Sequence, residues 1–173
     1  MKPIDATYLQ QLIDAQGAAL KLYARQWSRA PEDAVQEALI ALMKQTTLPN
    51  DPIAWLYTTV RRRAINLERA DARRRKHQTR AGQELESWFI PAENDDDDPA
   101  DCERMLSQLA EQDREIVVAR IWGDLSFAQI ANLVSLPLST VHRRYQQALL
   151  TLKQSIDQIQ NPEVNDGSKQ PQS

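Results

Sequence analysis

Apolar residues in this chain recur every three to four positions, in runs cut by prolines and short polar turns. That spacing is helical. From about Ala6 to Ser28, Tyr8, Leu12, Ala15, Ala19, Leu22 and Tyr23 share one stripe and predict a first helix. Gly17 lies inside it and weakens it by roughly 1 kcal/mol relative to Ala. Ala30-Pro31-Glu32-Asp33 begins a second helix, to about Gln45. Proline needs no amide partner in a first turn, and the two acids face the positive end of the helix dipole. Val35, Ala38, Leu39, Leu42 and Met43 supply its core face. Asp51-Pro52 opens a third helix as N-cap and first-turn proline. Its stripe is Ile53, Leu56, Tyr57, Val60, Ala64 and Leu67. Past Leu67 the stripe ends in ERADARRRKHQTR, which predicts an exposed helix fraying into a linker.

A second set of helices starts at Asp98-Pro99, another cap-plus-proline entry. Met105, Leu106 and Leu109 mark a short helix, and Ile116, Val117, Ala119 and Ile121 the next, which Gly123 is expected to stop. Ser126 with Gln129 three residues on is a capping box, each side chain satisfying an orphan amide of the first turn. Phe127, Ile130, Ala131 and Val134 follow on one face. Ser135-Leu136-Pro137 breaks the pattern, at a turn where glycine takes positive φ more readily than Ser135 can. Leu138, Val141, Tyr145, Ala148, Leu149 and Leu152 then form the apolar face of a longer helix. A short helix, a tight turn and a longer helix make a helix-turn-helix. The outer face of its second helix carries Thr140, His142, Arg143, Arg144, Gln146 and Gln147. Arg and Gln make paired hydrogen bonds to guanine and adenine edges in the major groove. The competing reading of this stretch is a helical hairpin whose polar face is merely solvated.

Composition narrows the fold. No stretch alternates with period two, and Gly is scarce at four residues, so strands are not expected and the chain reads as all-α. No apolar run approaches the ~20 residues needed to span a bilayer, and Met-Lys-Pro-Ile-Asp lacks the core of a signal peptide. The single cysteine, Cys102, excludes an internal disulfide and suits a reducing cytoplasm. With two histidines and one cysteine far apart, no metal cluster is expected, and no cofactor site is recognisable. Nor is there a paired-carboxylate site, a nucleophile with its base or a phosphate-cradling Gly loop, so the chain reads as no enzyme.

Net charge is −3, but the average conceals its distribution. Residues 61–80 hold nine Arg/Lys against Glu68 and Asp71, and residues 81–103 hold nine Asp/Glu with no Arg or Lys. Such asymmetry points to two different jobs. The basic run continues from a packed helix, which favours contact with a polyanion over a solvated end. The acidic run, with Asp95 to Asp98, has no period and reads as a self-repelling flexible linker. Within it Trp88, Phe89 and Ile90 are apolar enough to expect docking on a flanking domain or a partner. The expected layout is an N-terminal helical bundle at 1–77, an acidic linker at 78–100, a helix-turn-helix domain at 101–158 and a disordered tail at 159–173.

This arrangement resembles bacterial RNA polymerase sigma factors of the extracytoplasmic-function group. PEDAVQEALIAL from Pro31, then WLYTTVRRRAINL from Trp55 with its basic tail, look like that family's region 2. LSQLAEQDREIV from Leu106, continuing through Leu152-Lys153, looks like region 4. The resemblance implies that Glu32, Asp33, Gln36 and Glu37 dock on the clamp helices of the largest subunit of core RNA polymerase. They fall on one helical stripe opposite the apolar face. It further implies that the helix from Trp55 recognises and melts the −10 element. Arg61, Arg62, Arg63, Asn66, Arg69, Arg73 and Arg74 would hold the exposed strand and adjacent phosphates. Leu56 reads as core, and Trp55 and Tyr57 partly so. Thr140, His142, Arg143, Arg144, Gln146 and Gln147 would read the −35 element of promoter DNA.

The departures from the family pattern are specific. Arg62 stands where Asn is frequent, and Asn66 where Asp is, so the base captured at −10 is left open. His142 and Gln147 replace basic residues, which lowers phosphate-driven attraction and predicts a weak −35 binder dependent on the polymerase. The acidic linker could thread positively charged nucleic-acid channels of the polymerase. An anti-sigma factor is a further partner the resemblance allows. Two alternatives stay open: a conventional helix-turn-helix regulator on a palindromic operator, and a sigma mimic that titrates an anti-sigma factor.

Overall fold

The computed structural model describes residues 4–78 and 99–160, all of whose regular structure is α-helical. The helices are α1 (Ala6–Ala24), α2 (Pro31–Met43), α3 (Pro52–Gln78), α4 (Pro99–Ser107), α5 (Glu111–Ile121), α6 (Phe127–Val134) and α7 (Leu138–Gln160). The acidic run with Trp88, Phe89, Ile90 and Asp95 to Asp98, and the tail from Asn161, lie outside the described residues.

Local chemistry sets the helix starts. Asp5 caps α1 by accepting from the Thr7 amide, and Asp51 caps α3 by accepting from Ala54 at 3.0 Å. Pro31 occupies the first turn of α2, where Glu32 and Asp33 meet the positive dipole end. Ser126 and Gln129 form the complete capping box of α6, with bonds of 3.2 and 2.7 Å. The last turn of α6 closes through Ser135 at φ 55°, a left-handed residue.

Around α1 to α3 the buried side chains are Leu12, Leu20, Tyr23, Ala38, Leu42, Leu56, Val60 and Ala64, among others. Around α5 to α7 they include Ile116, Val117, Leu125, Ile130, Val141 and Ala148. The two sets are continuous, because α1 packs on α5 and α3 on α6. The two halves of the chain form one core.

Several expectations change. The first helix ends at Ala24, and Arg25 to Trp27 continue as a turn. Ala15 faces solvent while Leu20 is buried in its place. Met43, Ile121, Leu138 and Leu149, read as core by periodicity, are exposed. Each lies near a helix end or at the margin of a stripe, where no neighbouring element covers it. The basic end of α3 stays helical to Gln78, braced by Arg74 on Asp71 and Arg75 on Glu68 along its own surface.

The helix before Gly123 does stop there, at Ile121, and the positive-φ residue of the turn is Asp124 at 51°. Gly123 is needed for space. A Cβ there would stand 2.5 Å from the Tyr57 hydroxyl and 2.6 Å from the Ala119 carbonyl.

Candidate nucleic-acid interface

The outer face of α7 is presented by its packing. Val141 and Ala148 point into the core, and Tyr145 and Phe127 meet edge to face at 5.2 Å, so the opposite side faces out. There Arg143, Gln146 and Gln147 are exposed, and Thr140 is half-buried. His142 is also exposed, yet one face of its ring lies on Phe127, with ring centroids 3.9 Å apart. A flat ring suits that stacking. Arg144 has a different setting. Its guanidinium donates to Asp113 of α5 at 2.7 Å, so it ties the recognition helix to its own domain. Arg120 braces the approach to the motif, donating to the Leu125 carbonyl at 2.9 Å and lying 5.1 Å from the Phe127 ring.

The −10 candidates divide along α3. Trp55, Arg62, Arg63 and Asn66 line a groove of about 560 Å³ together with Gln129 and Asn132 of α6. Arg69, Arg73 and Arg74 project further along the exposed end. Arg63 also stands 3.5 Å from Glu37, which couples a −10 candidate to a polymerase-docking candidate. Glu32, Asp33 and Gln36 are exposed on the same side of α2 as Glu37, as one stripe. The pair is half-exposed on both sides, so it is worth well under 1 kcal/mol.

Arg61 is held elsewhere. Its Nε is 2.9 Å from a carboxylate oxygen of Glu115, a residue of α5 that is 2 % exposed. The Tyr23 hydroxyl donates to the same oxygen at 2.6 Å. Trp27 stacks under Arg61, 5.3 Å from ring centroid to guanidinium, and its indole N–H donates to Glu111 at 2.8 Å. Tyr23 contacts both Trp27 and Tyr57 edge to face, at 4.9 and 4.8 Å. The Tyr57 hydroxyl donates to Gln16 at 3.2 Å and sits over Gly123. On the other side of the molecule, Gln129 donates to Asp51 at 2.7 Å.

These groups titrate abnormally for clear reasons. Burial pushes the Tyr23 phenol far up, and the neighbouring Glu115 charge pushes it further. Burial does the same for Tyr57. Burial also raises the Glu115 carboxyl, while the Tyr23 hydroxyl and Arg61 draw it back down. Sequence reading missed Tyr23, Trp27, Glu111 and Glu115 as a unit. Trp27 closely follows an apolar helix and the two acids fall in an unremarkable charged stretch, so no local signal pairs residues some ninety positions apart.

The described residues contain no group of three or more His, Cys, Asp or Glu able to hold a metal ion. Among the described residues no helix is long and apolar enough to cross a membrane.

Comparison with known proteins fits this layout. A structure of the sigma factor RpoE in complex with the anti-sigma factor NepR, from Bartonella quintana, is similar at 21% identity and a TM-score of 0.67. The match covers 88% of this chain and 98% of that one. A structure of CnrH in complex with the cytosolic domain of CnrY is similar at 22% identity and a TM-score of 0.57, covering 88% of this chain and 90% of that one. At these identities the likeness establishes the fold. No curated protein matches the sequence. The family models are decisive: Sigma-70 region 2 matches residues 10–78, and Sigma-70, region 4 matches residues 101–152. The chain belongs to the sigma-70 family, with the region 2 plus region 4 layout of its extracytoplasmic-function group.

Proposed function

We propose that this sigma factor works as a two-point promoter reader, with the residues assigned as follows. Arg143, Gln146 and Gln147, with Thr140 and His142, read −35 from the exposed face of α7. Trp55, Arg62, Arg63 and Asn66 capture the −10 strand, and Arg69, Arg73 and Arg74 hold its phosphates. Arg61 joins them only when it leaves Glu115. The stripe of Glu32, Asp33, Gln36 and Glu37 docks on the clamp helices of core polymerase. Arg144 acts through Asp113 and is a positioning residue. The domain limits are 1–77, 78–100, 101–158 and 159–173. The protein acts in the cytoplasm, as a binding subunit that performs no chemistry of its own.

The observation that carries this reading is the union, in one chain, of an exposed basic and amide-rich recognition face and an exposed basic helix end. A conventional regulator has no use for the second of these. A mimic that touches no DNA needs neither. Both structural neighbours were determined with a bound partner, one of them an anti-sigma factor, and that supports an anti-sigma factor as a partner here.

Run-off transcription with purified core polymerase on a promoter library tests the reading. Transcripts should depend on added protein and share a two-block promoter. Protection of an operator by the protein alone, without polymerase, favours the regulator instead. Arg143→Ala should cost roughly 1–3 kcal/mol at −35 if it reads a base, and show the loss at one promoter position only.

A further inference from the structure

His142 is exposed on α7, beside Arg143 and one turn before Gln146. Its ring is not loose. It lies against the ring of Phe127, with centroids 3.9 Å apart and planes tilted by 37°. Phe127, the first residue of α6, is itself fixed by two further groups. Tyr145 meets it edge to face at 5.2 Å, and the Arg120 guanidinium lies 5.1 Å from its centroid. Arg120 in turn donates to the Leu125 carbonyl at 2.9 Å and stands 3.7 Å from the Asp124 carboxylate. Among the described residues the imidazole nitrogens of His142 have no hydrogen-bond or ion-pair partner.

Held in this way, His142 has a narrow range of use. A lysine reaches a phosphate by swinging a long flexible stem. An imidazole on a single methylene, lying on Phe127, cannot follow the backbone of the duplex in that manner. It offers its nitrogens in one orientation, and in either charge state it carries an N–H donor. The acceptors such a donor meets in a major groove are O6 and N7 of guanine, N7 of adenine and O4 of thymine. Fixing the ring beforehand also spares the entropy lost when a free side chain is immobilised on binding.

Resting on the promoter-reading proposal, we infer that His142 reads a base of the −35 element rather than holding a phosphate, and that Phe127 is the positioning residue that makes it so. Phe127 acts on DNA only through the ring it holds. The first helix of the motif thereby sets one of the specificities of the second.

The test uses holoenzyme formed from the full chain and core polymerase. It binds a promoter selected by run-off transcription, and the single-base −35 variants of that promoter, at about 50 to 200 mM salt. His142→Ala should reduce discrimination at one −35 position by about five- to tenfold and leave the salt dependence unchanged. His142→Lys should lose the same preference but steepen the slope of log K against log salt by about one, as a gained phosphate contact does. Phe127→Leu should reproduce the positional loss, whereas Phe127→Tyr, which keeps the ring, should retain the preference. In the His142→Ala background, Phe127→Leu should change nothing further at that position, because no ring is left to hold. Melting temperatures identify any variant that loses its fold, and His142→Ala and Phe127→Tyr decide the matter if Phe127→Leu does so. An even loss across all −35 variants with a shallower salt slope in His142→Ala overturns the base-reading role. Additive effects of Phe127→Leu and His142→Ala at that position overturn the positioning role. Wild-type holoenzyme without any −35 preference would sink the promoter-reading proposal itself, whereas a preference unmoved by His142→Ala removes only His142 as its reader.

Discussion

At the scale of single residues, Gly123 and Ser135 show how one backbone position can carry opposite demands. Gly123 is used for its missing Cβ, which leaves room for the Tyr57 hydroxyl. Gly123→Ala should destabilise the fold by about 1–3 kcal/mol through overpacking. Tyr57→Phe should recover part of that loss by removing the nearer atom, and thermal melts of both single variants and the pair measure the coupling. A fully additive pair would mean that the two residues do not meet. Ser135 has the reverse problem, a side chain at φ 55°. Ser135→Gly should relieve strain and raise stability by up to ~1 kcal/mol, while Ser135→Val should lower it, since β-branched residues tolerate this region least. Ser135 was legible in the sequence because a turn between two amphipathic runs demands a left-handed residue. The role of Gly123 was not, because its reason is an atom 66 positions away.

At the scale of elements, local rules account for most of what is observed. The proline and acid starts of α2 and α3 and the capping box of α6 are all formed by residues within one turn. Ser126→Ala should cost about 1 kcal/mol, read as a lower melting temperature with unchanged helix content at low temperature. Helix α7 keeps its recognition face because Val141 and Ala148 anchor the other side. Its candidate residues separate by partner rather than by sequence position. Arg144→Ala should weaken promoter activity and lower thermal stability together, because Asp113 loses its partner. Arg143→Ala should affect the promoter alone. Equal melting temperatures for the two variants would remove the structural role given to Arg144. Periodicity overextended the core at Met43, Leu138 and Leu149, since it marks a stripe without saying how much of it a neighbour covers.

At the scale of the whole molecule, the interface between the halves dominates the expected behaviour. Tyr23 and Tyr57 are fully buried, and burial raises both phenols above their ordinary value of 10.0. The folded chain therefore keeps two protons that the unfolded chain releases as pH passes 10.0. The stabilisation is complete below that pH and is lost above it, by up to ~1.4 kcal/mol per pH unit for each tyrosine. Denaturation by urea at pH 9, 10 and 11 should show the decline, and Tyr23→Phe with Tyr57→Phe should flatten it. Tyrosinate absorbance from these two side chains near pH 10, without unfolding, would contradict the burial argument.

The order of hydrophobic and polar residues was enough to establish seven helices, their caps, the helix-turn-helix and its outward face. These depend on contacts within three or four residues, which a linear pattern records. It also recorded an acidic stripe on α2, a basic run at the end of α3 and a basic, amide-rich face on α7, since charge asymmetry survives any folding; the roles proposed for them came from the family resemblance. The meeting of Tyr23, Trp27 and Arg61 with Glu111 and Glu115 was decided only in three dimensions. So was the conversion of Arg61 from a free DNA contact into half of a buried pair, and of Arg144 into a brace. A buried carboxylate is tolerated only where distant donors converge on it. Such convergence is a property of how helices cross, and no periodicity along the chain encodes it.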